Sequence, residues 1–340
     1  MEGPALRLTR SQRRRLAGAS LAAAALGALA LVNHVAARRA ERRNPPAGRF
    51  ITVQGVRLHV MDCGEGPPVL LIHGNVMTGT DWDIAGVAPA LLPHHRVIII
   101  DRPGFGHSER PRGRLWTAAQ QAELLHGALR QLGVERPIVA GHSWGAIVAL
   151  AMAARPGADL AGLVLVSGYY VWTLRPDVLL VVPPALPGLG DLLRYTVSPM
   201  LGRLLMPLLN RAIFAPAPVT RRFRQGFSAE MALRPSQIRA TSQDGALMIP
   251  GAVGLRRRYP ELALPVAILA GEGDRVVFAR SARRLHAMVP GSTLHILPGL
   301  GHMLHHSAPE AVVSAIEGVA AAAQIPADQP ASMVAQPRAA

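Results

Sequence analysis

Apolar residues along the chain fall into two rhythms. "RFITVQGVRLHVMD", residues 49–62, alternates apolar and polar positions around Gln54-Gly55, which predicts a β-hairpin. After a Gly- and Pro-rich turn, "VLLIHG" opens a series of short solid apolar runs. "RVIIID", "PIVAG", "LAGLVLVS" and "LPVAILAG" continue it. Such runs predict strands buried on both faces. Between them apolar positions recur at helical spacing: from Thr117, an N-cap candidate, to Leu132, from Ser143 to Ala154, and from Phe278 to Met288. Strands alternating with helices imply an α/β fold built on a mostly parallel sheet covered on both faces.

The alternation breaks between Tyr169 and about Leu262. Pro-punctuated Leu- and Val-rich pieces fill this interval, among them "DVLLVVPPALPGLGDLLRY" and "LLMPLLN". They predict a helical cap over residues 169–262, inserted between core segments 49–168 and 263–323. Past Glu317 the chain turns Ala-, Pro- and Gln-rich, and residues 324–340 are expected to form a disordered tail.

At the other end lies an uncharged stretch of 22 residues, Leu16 to Ala37. As a helix it is long enough to cross a bilayer, which takes about 20 residues. A basic segment, residues 1–15, precedes it, and a linker, 38–48, is expected after it. Val35-Ala36-Ala37 has the small-residue spacing of a signal-peptidase site, and Arg13-Arg14 resembles a twin-arginine signal. The stretch exceeds a usual signal core, so an uncleaved anchor is preferred. Arg7, Arg10, Arg13, Arg14 and Arg15 slightly outnumber Arg38, Arg39, Arg42 and Arg43. That favours a cytoplasmic N-terminus and a main domain on the extracytoplasmic side, with secretion after cleavage as the alternative.

Composition narrows the function. The formal charge is +15, and all 36 basic residues are Arg. Aromatic residues make up only 4%, so the mixture of basic and aromatic groups expected of a nucleic-acid binder is missing. The single cysteine, Cys63, forms no internal disulfide.

The candidate chemistry centres on "VAGHSWGAIVAL", residues 139–150. Here a buried strand must reverse into an apolar helix within a few residues. Gly141 and Gly145 flank Ser143 at positions where a side chain would collide, and the turn pushes the Ser143 hydroxyl into the open at a helix N-terminus. A nucleophilic serine needs amides to hold an oxyanion. The N–H of Trp144 is one candidate. The N–H of Asn75, on the Gly74-bearing loop after "VLLIHG", is the other. The base is expected after the last strand: His302, with His295, His305 and His306 as rivals. The acid is expected at an earlier strand end: Asp274, with Glu272 as runner-up.

"HGN" at His73, "DRPGFGHSERP" at Asp101, "GHSWG" at Ser143, "GEGD" ending at Asp274 and "GH" at His302 together resemble the α/β-hydrolase superfamily over residues 49–319. The resemblance is to the cap-bearing branch, which includes esterases, epoxide hydrolases, haloalkane dehalogenases and carbon–carbon bond hydrolases. Asn75 and Trp144 match positions that grip halide in the dehalogenases. Ser143, however, stands where those enzymes carry aspartate, and a serine suits attack on a carbonyl. No dehalogenation is expected.

The resulting expectation is a serine hydrolase cleaving a carboxylic ester of an apolar substrate through an acyl-enzyme on Ser143. Tyr169, Tyr170 and Trp172 are expected to line its pocket. No metal or organic cofactor is implied. Carbon–carbon bond, lactone or amide hydrolysis could use the same triad, and a non-catalytic ligand receptor could use the same fold.

Overall fold

The computed structural model describes residues 9–173 and 178–324. The expected tail from residue 325 onward and the first eight residues of the basic segment lie outside the described residues.

Among the described residues the eight strands are β1 (Arg49–Val53), β2 (Val56–Cys63), β3 (Pro68–Ile72), β4 (Arg96–Ile100), β5 (Ile138–His142), β6 (Gly162–Val166), β7 (Val266–Gly271) and β8 (Thr293–Leu297). They form one sheet in the order β1-β2-β4-β3-β5-β6-β7-β8. The β1–β2 hairpin is antiparallel and joins β4 antiparallel; every other pairing is parallel. Gln54 and Gly55 both take positive φ, 49° and 74°, as a tight twisted hairpin turn requires.

The solid apolar runs follow from the two-sided cover. Leu70, Ile72, Val139, Leu163, Leu165 and Ile268 enter one hydrophobic cluster, while their neighbours Val69, Leu71, Ile138, Ala140, Val164 and Leu269 enter another. With successive side chains facing opposite ways, both parities must be apolar.

Seven longer helices matter for the site. They are α1 (Arg10–Arg43), α2 (Ala118–Gln131), α3 (Trp144–Ala153), α4 (Leu189–Tyr195), α5 (Val197–Phe214), α6 (Pro235–Leu255) and α7 (Pro309–Gln324). Thr117 caps α2 reciprocally with Gln120. The helix expected over 278–288 is shorter, Arg280–His286. Residues 178–261, between β6 and β7, contain only helices and turns, with α6 the longest of them.

The expected linker 38–48 is corrected at its start: α1 runs on through Arg43. Ala36 to Glu41 are good helix formers, and the helix stops only at Asn44, before Pro45 and Pro46. Helix α1 is long and apolar enough to cross a membrane.

Candidate active site

The carboxyl ends of β3, β5, β7 and β8 point the same way and carry the predicted residues. Ser143 sits between β5 and α3 with φ 52° and ψ −113°, a conformation that costs a non-glycine residue about 1–3 kcal/mol. Its N–H donates to the Val166 carbonyl at 2.8 Å, which pins the turn to β6. A Cβ on Gly141 would come within 2.4 Å of the Gly145 carbonyl oxygen, and one on Gly145 within 2.2 Å of the Ile72 carbonyl oxygen. Both glycines are therefore required by backbone, which cannot move aside.

His302 Nε2 lies 3.0 Å from Ser143 Oγ, and His302 Nδ1 lies 2.8 Å from Asp274 Oδ2. A carboxylate only accepts, so Nδ1 carries the proton and Nε2 is left to accept from the serine hydroxyl. Asp274 is buried, and its Oδ1 accepts from the N–H groups of Val276 and Val277, both at 2.8 Å. The rivals go elsewhere. Glu272 and His295 are exposed, while His305 and His306 turn to Asp81.

The Asn75 loop approaches Ser143 closely: a Cβ on Gly74 would lie 3.3 Å from Ser143 Cβ. Trp144 opens α3, so its N–H has no partner inside the helix. Both polar atoms of the Asn75 side chain are bonded within the protein. Its Nδ2 donates to the Thr241 carbonyl at 3.0 Å and its Oδ1 accepts from the Val76 N–H, which ties the loop to α6. The Trp144 indole is buried.

His73 holds the same loop from beneath. Its Nε2 accepts from the Arg102 N–H at 2.9 Å, and its Nδ1–H donates to the Gly74 carbonyl at 2.8 Å. Burial, helped by the Arg102 charge, pushes the imidazole down to about 4, so it is neutral as these bonds demand. Arg102 donates to the carbonyls of His73 and Gly74 and pairs with Asp244 of α6, which also takes Arg110. All three charged groups are buried.

Of the three aromatics expected at the pocket, Tyr169 and Tyr170 are buried and Trp172 is exposed. Tyr170 is a core residue: its hydroxyl accepts from the Gly168 N–H at 3.0 Å, and its carbonyl accepts from Tyr259 Oη at 2.8 Å. Tyr169 is buried and hydrogen-bonds Thr173, whereas Trp172 is exposed. The chain turns inward directly after β6, where Gly168 leaves room for the Tyr170 ring, and both tyrosines pack inward.

A second cluster went unread in the sequence. Asp81 Oδ2 accepts from His305 Nε2–H at 2.9 Å and Asp81 Oδ1 from His306 Nε2–H at 2.8 Å. His142, just before Ser143, donates from Nε2 to the His302 carbonyl at 3.1 Å and lies against His305. Burial pushes His305 down to about 4 and His142 well below its ordinary value. Among the described residues, donor atoms of Asp81, His142 and His305 lie within 4.8 Å of one another, a spacing a metal ion could use. Both Asp81 oxygens are already taken by imidazole donors, while among the described residues the buried Nδ1 atoms of His142, His305 and His306 have no hydrogen-bond partner. The adjacent pair His305-His306, beyond what a base requires, was the available signal.

Residues 69–315 match the alpha/beta hydrolase family. An uncharacterized protein of Mycobacterium tuberculosis is 30% identical over 289 residues, covering 80% of this chain and 81% of its own length. The 2-hydroxy-6-oxo-2,4-heptadienoate hydrolase of Pseudomonas putida is 28% identical over 269 residues, 76% of this chain and 91% of that one. Among solved structures, a thermophilic esterase from Thermogutta terrifontis superposes with a TM-score of 0.66 at 22% identity, covering 82% of this chain and 100% of that one. With a family match spanning most of its length, this chain belongs to the α/β-hydrolase family and is a hydrolase.

Proposed function

We propose that the chain is a serine hydrolase that cleaves carboxylic esters of apolar substrates. The observation that carries this reading is the single imidazole of His302, 3.0 Å from Ser143 Oγ on one side and 2.8 Å from Asp274 on the other. His302 Nε2 takes the hydroxyl proton as Ser143 Oγ attacks the carbonyl carbon. Asp274 fixes the tautomer and stabilises the imidazolium that forms. The amides of Asn75 and Trp144 hold the oxyanion, each such donor being worth about 3 kcal/mol of barrier. His302 then returns the proton to the leaving alcohol, and water deacylates Ser143 with His302 again as base. Among cap residues, Leu- and Val-rich pieces support an apolar substrate.

Carbon–carbon bond hydrolysis is the second reading, favoured by the likeness to the Pseudomonas putida hydrolase. Turnover of p-nitrophenyl esters of increasing chain length, set beside a 2-hydroxy-6-oxodienoate, separates the two. Faster turnover of the esters supports the first reading; turnover of the dienoate with a flat response to every ester overturns it.

Helix α1 is read as an uncleaved anchor, with the hydrolase domain on the extracytoplasmic side. Asn33, inside the apolar stretch, is buried and donates from Nδ2 to the carbonyls of Tyr195 and Thr196 at 2.9 and 2.8 Å. Cleavage after Ala37 would remove this contact with the cap. The mass of the N-terminal peptide of the membrane-bound protein tests it: a peptide beginning after Ala37 contradicts the anchor.

A further inference from the structure

Helix α5 is apolar on both sides. Pro199, Met206 and Phe214 are buried, and a Cβ on Gly202 would meet Leu233 at 2.3 Å, so one face packs tightly on the cap. The opposite face carries Val197, Met200, Leu201, Leu204, Leu208 and Leu209, spaced as one helical stripe, and each is exposed. Leu204 is 76% exposed and Leu208 64%. Leu189 and Leu192 of α4 extend the surface. Among the described residues outside α1 and the 178–261 insertion, the only large apolar side chains exposed are Leu92, Leu115, Trp172 and Phe278. A contiguous apolar surface of this kind on one part of a folded protein marks a contact.

We propose that this face of the cap is a lipid-docking surface, seated in the same bilayer that α1 crosses. The proposal rests on α1 being a retained anchor; it does not depend on the chemistry at Ser143. Continuity with α1 selects lipid as the occupant. Asn33 fastens α1 to Tyr195 and Thr196, the junction between α4 and α5. Asn33 lies four residues before the last uncharged residue, Ala37, or about 6 Å along a helix. The start of α5 is thereby held at a depth where interfacial helices bury their apolar face, about 5–10 Å below the headgroups. Arg203 and Arg211 on α5, and Arg38, Arg39 and Arg42 just past the apolar stretch, are exposed where anionic headgroups would meet them. A substrate dissolved in the bilayer would then reach the cap without crossing water.

The test is spin-label accessibility on the full chain reconstituted into phosphatidylcholine–phosphatidylglycerol vesicles. Cys63 is exposed and is replaced first by Cys63→Ala. Single labels are placed at Leu204→Cys and Leu208→Cys, at Leu21→Cys on α1, and at Glu135→Cys, an exposed site just before β5 at the opposite end of the sheet. The oxygen-to-nickel-complex collision ratio at 204 and 208 is expected to exceed that at 135 by about tenfold and to approach that at 21. A high ratio at 21 with a water-like ratio at 204 and 208 overturns the docking surface and leaves the anchor standing. Suppression of both collision rates at 204 and 208, as under a second protein copy, also overturns it. Water-like ratios at 21, 204 and 208 together overturn the anchor and the proposal with it.

Discussion

His142 Nε2 lies 3.1 Å from the carbonyl oxygen of His302, so the residue before Ser143 holds the loop that carries His302. Two groups that exchange a proton in the proposed mechanism are thus tied by a bond that does no chemistry. His142→Ala is expected to lower kcat by about tenfold to a hundredfold with KM little changed, because small misplacement of a base is costly. Steady-state kinetics with a p-nitrophenyl ester check this; a raised KM at unchanged kcat would contradict it.

Gly145 and Gly254 make a matched pair. An alanine at 145 drives its Cβ to 2.2 Å from the Ile72 carbonyl oxygen, whereas one at 254, in α6, meets nothing within 4 Å. Gly145→Ala should cost at least about 2 kcal/mol and abolish turnover. Gly254→Ala should be neutral or stabilising by about 0.5–1 kcal/mol. Thermal unfolding of the two variants measures the contrast.

The acid tested least directly by activity is Asp244, which neutralises Arg102 and Arg110 in the interior. Asp244→Ala leaves two buried guanidinium groups without a carboxylate. A loss of about 3–5 kcal/mol in denaturant unfolding is expected. A loss below about 1 kcal/mol would show that the network is not holding the cap to the sheet.

Stability should depend on pH in a defined window. His73 and His305 are pushed down to about 4 by burial, and His142 is held well below its ordinary value. Unfolded histidine titrates near 6.5, so between about 4 and 6.5 the unfolded chain binds more protons than the folded one. The contribution is complete above that window and is lost as pH falls through it, by up to about 1.4 kcal/mol per pH unit for each histidine. Denaturant midpoints at pH 7.5 and pH 5 check the sign: a midpoint that stays level or rises toward pH 5 contradicts it.

Legibility in the sequence tracked distance along the chain. The hairpin, the buried strands and the Ser143 turn were readable because each is fixed by neighbours: Gln54-Gly55, solid apolar runs, and Gly141 and Gly145 around one serine. The choice of Asp274 over Glu272 and of His302 over His295, His305 and His306 rested on expected chain order. Only the pairing of β7 with β8 brings Asp274 and His302 side by side. Asp81 and Asp244 carried no local signal, since their imidazole and guanidinium partners lie more than a hundred residues away. The burial of the aromatics after β6 has a similar cause. "SGYY" after a strand looks like the rim of a site, but the space beside Gly168, which draws Tyr170 inward, exists only once α3 is packed.

The most direct test of the central claim is covalent labelling with a fluorophosphonate, read by mass spectrometry of the modified peptide. Stoichiometric labelling at Ser143 is expected, absent in Ser143→Ala and slowed by about 10⁴-fold in His302→Ala. Folded wild-type protein that stays unlabelled, or that is labelled at another residue, would contradict the claim that His302 activates Ser143.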